Sequence, residues 1–220
     1  FRILKSSAAS QMLSEGTRGR FITLEGGEGA GKSTQIRLLA EALRGRGLEI
    51  VTSREPGGSP GAEAVRGLLV SGDTGRWEPM TEALLHFAAR RDHLVRTVWP
   101  ALERGAWVIC DRFADSTMAY QGYGLGLGRA PIERLYSLAI GAFAPDLTLI
   151  LDLAPELGVD RARIRQRQQG DAEDRYERMD ISFHRRLREG FLDIARREPA
   201  RCAVIDANQT IEGVQASVYE

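Results

Sequence analysis

Residues 26–34, Gly26-Gly27-Glu28-Gly29-Ala30-Gly31-Lys32-Ser33-Thr34, have the spacing G-x-x-x-x-G-K-S, which lets a chain fold around a polyphosphate. The glycines allow successive backbone N–H groups to turn inward, and the start of the following helix adds its positive end. All nine residues are therefore candidate ATP ligands, with Ser33 also offering its hydroxyl to Mg²⁺. Lysine occurs at only two positions, Lys5 and Lys32. A general bias toward arginine would not choose this loop for its exception, but a compact ammonium can follow a phosphate where a planar guanidinium cannot. Glu28 is the anomaly. A carboxylate beside a polyphosphate is electrostatically unfavourable, so it needs a compensating cation or a hydrogen-bond donor to hold.

The second expected component is a metal-side carboxylate at the end of a buried strand. Asp111 and Asp152 both close near-continuous apolar runs, Trp107–Asp111 (WVICD) and Leu147–Asp152 (LTLILD). Asp111 is preferred because Arg112 follows it, placing a phosphate-binding cation at the carboxyl edge where ligands of such sheets bind. A loop and an acid of this kind serve kinases, ATP-driven switches and nucleic-acid-binding ATPases alike, so the acceptor side must decide.

The elements that have to carry these groups alternate between strand and helix, which predicts an α/β fold with a parallel sheet covered on both faces. Phe21–Glu25 is a β-rich run leading into the loop. After it, Ile36, Leu39 and Leu43 recur at helical spacing, and Gly45 and Gly47 stop the helix. Leu48–Ser53 predicts the second strand and Pro56–Gly61 a turn. A helix then runs through Leu69, and a longer one from Met80 to about Arg104 with its end kinked at Pro100. Arg201–Asp206 predicts the last strand.

At 220 residues the chain suits one domain. We expect residues 20–220 to form it and residues 1–19 to be a leader, partly foreign to the natural chain, with Met12 a candidate native start. Formal net charge is zero, which speaks against a nucleic-acid partner, and no apolar run is long enough to span a bilayer. Cys110 and Cys202 lie in strand-like runs without CxxC spacing, pointing away from disulfides and zinc and toward a soluble, cytoplasmic protein.

Ser53–Gly58 (SREPGG), Asp111–Gly122 (DRFADSTMAYQG) and the phosphate loop, in that order and spacing, resemble the bacterial thymidylate kinases, from about Arg20 to the C-terminus. The resemblance implies a three-layer P-loop NTPase fold with a five-stranded parallel sheet flanked by helices. It also implies a homodimer, and phosphorylation of dTMP to dTDP by ATP and Mg²⁺ on the route to dTTP. Carried across position by position, it places Arg54 and Arg112 on the dTMP phosphate, Asp111 beside the metal and the transferring group, and Glu28 on the 3′-hydroxyl of dTMP. Thr117, Tyr120 and Gln121 fall at the base and sugar. Lys32, Asp111 and Arg112 are thus catalytic candidates, and Ser33 and Asp111 metal candidates. Plainer readings are a surface pair between Arg54 and Glu55, and a packed polar helix face at Thr117 and Tyr120. Another small nucleoside-monophosphate kinase is the neighbouring alternative. A P-loop ATPase switch, which would hydrolyse ATP without a nucleotide acceptor, is the more distant one.

This chain departs from the family's pattern at two places. The family's base-stacking Phe, four residues before an arginine, falls on His86 ahead of Arg90, with Phe87 one residue out of phase. One residue on a helix turns a side chain by about 100°, so Phe87 is expected in the core, leaving either His86 to stack on the base or a local shift to bring the aromatic back. Arg90 resembles the residue that reaches a thymine carbonyl, the plainer reading being an exposed helix charge. The loop also has Gly29 where other members carry an arginine. In members lacking that arginine, a lid arginine supplies the transition-state charge. Here a lid is expected over about residues 160–176, with Arg163 and Arg165 the candidates, although alternating arginines also suit a solvated helix. Gly122–Arg129 (GYGLGLGR) has no strand before it and is expected to be a flexible connection.

Overall fold

The structure, a computed structural model, describes residues 18–169 and 174–220. Five parallel strands, β1 (Phe21–Gly26), β2 (Ile50–Arg54), β3 (Trp107–Asp111), β4 (Leu147–Asp152) and β5 (Cys202–Asp206), form one sheet in the order β2-β3-β1-β4-β5. The helices are α1 (Lys32–Arg44), α2 (Pro60–Leu69), α3 (Pro79–His93), α4 (Trp99–Glu103), α5 (Ala114–Thr117), α6 (Arg129–Ile140), α7 (Pro155–Gln169), α8 (Ile181–Arg197) and α9 (Ile211–Tyr219). None is long and apolar enough to cross a membrane.

Alternation along the strands sends side chains to two cores. Ile22, Leu24, Ile109, Leu149 and Leu151 pack with Ile36, Leu39 and Leu43 of α1 and Val214 and Val218 of α9. On the opposite face Phe21, Val108 and Cys110 meet Leu94, Leu102 and Phe113, while Ile150 meets Phe183, Leu187 and Phe191 of α8. Burial on both faces is why the third and fourth strands show no polar alternation. Asp111 pairs in register with both Leu24 and Arg54. The phosphate loop, Arg54 and Asp111 therefore meet at one edge of the sheet, at the strand where the order reverses.

The long helical run continues past Pro100 to Glu103, close to the expected end. α3 passes through a π-helical turn, Leu94–Val98, into α4, with the Trp99 N–H bonded to the Leu94 carbonyl five residues back. Pro100 has no N–H to donate, and the wider turn just before it absorbs the missing bond. The second strand starts at Ile50, two residues later than hydropathy places it, and so carries Arg54 itself to the edge. The glycine-rich connection is shorter than expected. Gly122–Gly124 close a π-helical segment, Met118–Gly124, and only Leu125–Gly128 separate it from α6. Of the expected leader, residues 1–17 lie outside the described residues. Arg18 and Gly19 pack on the domain: Gly19 donates to the Leu102 carbonyl at 2.8 Å, and the Arg18 guanidinium sits 5.3 Å from the Phe143 ring.

Candidate functional site

The loop after β1 makes one turn that no other residue could share. Gly29 has φ 65°, and a Cβ there would stand 2.2 Å from the carbonyl oxygen of Gly158 in α7. Lys32 folds back over the loop, with Nζ 2.9 Å from the Gly27 carbonyl and 3.3 Å from that of Gly26. Burial lowers its pKa, and Arg112 adds to the effect, against Asp111, Glu28 and Glu25.

Glu28 has the partners it needs. Its Oε1 accepts from Arg112 Nη2 at 3.0 Å and from the Tyr120 hydroxyl at 2.5 Å. Burial alone would raise its pKa, but Arg112, Lys32 and the Tyr120 hydrogen bond outweigh it and hold the carboxyl at about 2. Arg112 is the one non-glycine with positive φ among the described residues, at 69°. An arginine held in the left-handed region is strained, and such strain gathers where a side chain must point in one direction. Here it turns the guanidinium back over the loop, where Nη1 donates to the Gly26 carbonyl (2.9 Å) and to Ser116 Oγ (3.2 Å).

Asp111, preferred over Asp152 in the sequence, also differs from it in its surroundings. Both oxygens of Asp152 are taken by Arg188, at 2.7 and 2.8 Å. Asp111 Oδ1 is buried with no hydrogen-bond partner, and the residue lines a cleft together with Ser33, Ser53 and Arg54. An anionic oxygen without donors suits a cation. No group of three or more His, Cys, Asp or Glu among the described residues could hold a metal. Ser33 and Asp111 therefore fit Mg²⁺ only as a partial set completed by phosphate oxygens and water, which is how this ion usually binds.

On the other side of Glu28 lies a cavity of about 640 Å³, including its open mouth, walled by Pro56, Val70, His86, Thr117, Tyr120 and Gln121. Arg90 crosses its floor: Nε donates to Glu55 Oε2 (2.7 Å), while Nη2 donates to the Phe113 carbonyl and Thr117 Oγ1 (both 3.0 Å). Its Nη1 is buried with no partner. Gln121 Nε2 donates to Glu82 Oε1 at 2.8 Å, and its Oε1 is also buried and unpartnered. His86 lines the wall. Burial, with Arg90, Arg175 and Arg112 nearby, pushes its pKa down to about 3, so the ring is neutral. The Tyr176 hydroxyl donates to Glu82, so His86 Nε2 is the donor across the 3.0 Å contact to Tyr176. Phe87 lies in the core below, with the Arg90 guanidinium 4.8 Å from its ring.

Arg54 is not in this cavity. It is half-exposed at the edge of the Ser33–Asp111 cleft and pairs with Glu63 at 3.0 Å. Glu55, suggested as its surface partner, is instead buried and bound to Arg90 and His93. Of the lid candidates, Arg165 donates at 2.6 Å to Glu177, a wall residue of the acceptor cavity, whereas Arg163 is exposed and 3.9 Å from Asp160. Residues 170–173 of the expected lid, and the side chain of Arg167, lie outside the described residues. Sequence reasoning missed Arg175. It is 2% exposed, donates to the carbonyls of Leu69, Asp73 and Thr74, and pairs with Glu82. All these partners are about a hundred residues away in the chain, so no local pattern could have flagged it.

With this geometry in hand, comparison with known proteins gives a consistent result. The profile of the thymidylate kinase family matches residues 24–218. The thymidylate kinase of Caulobacter vibrioides is 55% identical over 204 residues, covering 93% of this chain and 96% of that one. That of Rhizorhabdus wittichii is 51% identical over 203 residues, covering 92% and 96%. Among solved structures, the thymidylate kinase from Ehrlichia chaffeensis superposes with a TM-score of 0.74 at 37% identity, covering 92% of this chain and 97% of that one.

Proposed function

The chain belongs to the thymidylate kinase family, and from that membership we propose how its residues phosphorylate dTMP with ATP. The loop residues 26–34 hold the ATP phosphates, with the Lys32 ammonium leaving its loop carbonyls for phosphate oxygens. Arg112 at the junction of the two sites, and Arg54 at the cleft edge, hold the phosphate of dTMP. An oxygen of that phosphate attacks the γ-phosphorus, the bond to the β–γ bridging oxygen breaks, and ADP leaves. Such a reaction depends mainly on alignment and on charge placed around the moving group. Mg²⁺, held by Ser33, Asp111 and ATP oxygens, would supply neutralising charge there. Arg165, with Arg163, adds charge from the lid.

One observation carries the acceptor assignment: the cavity holds an unpartnered donor, Arg90 Nη1, and an unpartnered acceptor, Gln121 Oε1. Thymine has carbonyls for the first and an N3–H for the second. Cytosine offers an amino group and a bare N3 on the corresponding edge, so it would leave these groups mismatched. The neutral His86 ring forms an uncharged wall against the base. Glu28 holds the sugar 3′-hydroxyl. The enzyme acts as a homodimer in the cytoplasm, and exposed Leu84, Val95 and Leu138 offer apolar surface for a partner copy; sedimentation measures this. The functional test is ATP consumption with Mg²⁺ across a panel of monophosphates. The expected result is dTDP and ADP from dTMP, in preference to AMP, CMP and GMP. Equal turnover of AMP, or hydrolysis indifferent to dTMP, overturns the reading.

A further inference from the structure

Four residues behind the acceptor cavity form a continuous hydrogen-bonded chain. Ser53 Oγ lies 2.6 Å from His93 Nε2, His93 Nδ1 lies 2.9 Å from Glu55 Oε1, and Glu55 Oε2 accepts from Arg90 Nε at 2.7 Å. His93 is 0% exposed, Arg90 2% and Glu55 4%. The order Ser–His–carboxylate is that of a hydrolase triad, but the surroundings rule out that use. Gly58 closes over the pair so tightly that a Cβ there would meet Ser53 Oγ at 2.4 Å and His93 Nε2 at 2.5 Å. The Gly58 turn packs on the Ser53–His93 pair, and the far carboxylate oxygen is committed to Arg90.

The chain instead ends at a residue of the cavity wall, Arg90. Arg90 has one donor, Nη1, without a partner, and the direction of that donor depends on the plane of the guanidinium. Nη2 is fixed by Phe113 and Thr117, and Nε by Glu55 alone. Glu55 can hold Nε only if its carboxylate cannot swing, and its other oxygen is held by His93. The Glu55 carboxylate accepts from Nδ1 of His93, and Ser53 Oγ occupies the other ring nitrogen, Nε2. Thr97 Oγ1, donating to the Gly58 carbonyl at 2.7 Å, keeps the covering turn in place.

We propose that His93 is a positioning residue for base recognition, setting Glu55 and through it the guanidinium of Arg90 on the wall of the acceptor cavity. The inference rests on the dTMP kinase reading. It predicts an effect on the acceptor's KM and on base selectivity, with little change in kcat or in the KM for ATP.

Two isosteres separate this from a packing role. The amide nitrogen of Asn overlays Nδ1 of His, whereas that of Gln overlays Nε2. His93→Asn keeps the donor to Glu55 and loses the link to Ser53; His93→Gln does the reverse. Steady-state kinetics of the full chain with dTMP and dCMP, with thermal unfolding of each variant alongside, reads the difference. For His93→Gln we expect KM for dTMP to rise roughly tenfold, as for loss of one hydrogen bond to a charged group, with preference over dCMP falling. His93→Asn should stay within about threefold of the parent, and His93→Gln should add nothing in an Arg90→Ala background. Equal behaviour of the Asn and Gln variants, or additive losses with Arg90→Ala, overturns the proposal. If the unmutated chain fails to use dTMP, it is the parent reading that falls.

Discussion

Replacing Glu28 by Gln tests why an acid sits in a phosphate loop. Both of its hydrogen bonds fall on Oε1, from Arg112 and Tyr120, and Oε2 has no partner among the described residues. The proposed ligand for that oxygen is the 3′-hydroxyl of dTMP. Gln retains the size and one oxygen but removes the charge. Two losses follow. Arg112 loses its counter-charge, which disturbs the phosphate clamp for any acceptor. The 3′-hydroxyl loses a charge-assisted acceptor, worth roughly 1.5–3 kcal/mol, or about 10- to 150-fold at 1.36 kcal/mol per decade. Comparing dTMP with its 3′-deoxy analogue cancels the first loss, because both carry the same phosphate. The ratio of their kcat/KM values should fall by that factor in Glu28→Gln, while the KM for ATP stays within about threefold. Because the carboxyl is held at about 2, the ratio should not vary across neutral pH. Equal losses for both acceptors would refute the reasoning and leave Glu28 as a partner of Arg112 only.

Three further outcomes are expected. Asp111→Asn should lower kcat by about 10²-fold or more, since metal-assisted charge stabilisation is worth several kcal/mol, whereas Asp152→Asn, which breaks only its part-exposed pair with Arg188, should leave kcat within about threefold; the reverse ranking would exchange their roles. Joint replacement of Arg163 and Arg165 by Ala should lower kcat by roughly 10²-fold with the fold intact by circular dichroism, and normal turnover would make α7 a solvated surface. Burial and neighbouring Asp115 raise Glu25 to about 8 from 4.5, against Ser116, Arg112 and the Phe113 N–H. The folded chain thus holds a proton that the unfolded chain releases, so stability from this group is full below about 4.5 and is lost as pH rises through about 8. Glu25→Gln can still accept from Phe113 and donate to Ser116, so its Tm should decline less than the parent's between those values; parallel Tm curves would show that Glu25 is ionised when folded.

The parts of this fold that could be read in advance are those whose cause is local. The loop shows in its glycine spacing, and the buried strands in unbroken apolar runs. The phase of His86 and Phe87 follows from helical rotation, and the structure puts one on the cavity wall and the other in the core. What could not be read depends on partners distant in the chain. The neighbouring Arg112 favours Asp111 in the sequence, but what separates the two acids in the fold is distant: Arg188, thirty-six residues after Asp152, neutralises one and leaves the other open. Glu55 reads as a surface neighbour of Arg54, but it lies just past the end of β2, where the chain turns and sends it inward to Arg90 and His93. The helical run past Pro100 to about residue 104 is legible, but the π turn Leu94–Val98 that precedes the proline is not, because helical spacing carries no mark of one wider turn.

The absent loop arginine and the arginine-rich lid are two results of one packing arrangement. Gly29 would place a Cβ 2.2 Å from the Gly158 carbonyl, and Gly158 would place one 2.4 Å from the Glu28 carbonyl. Loop and helix therefore meet backbone to backbone, and neither can gain a side chain without separating. An arginine at position 29 would push α7 off the loop. With glycine at both positions, the first turns of α7 rest on the loop, and Arg161 already brings its Cβ within 3.1 Å of where a Gly29 Cβ would stand. A helix rises 1.5 Å per residue and returns to the same face after about four residues, so Arg165 stands about 6 Å farther along that face. There Glu177, at the rim of the acceptor cavity, receives it. A cation mounted on α7, Arg165, thus reaches the cavity wall across a loop that has no side chain at position 29.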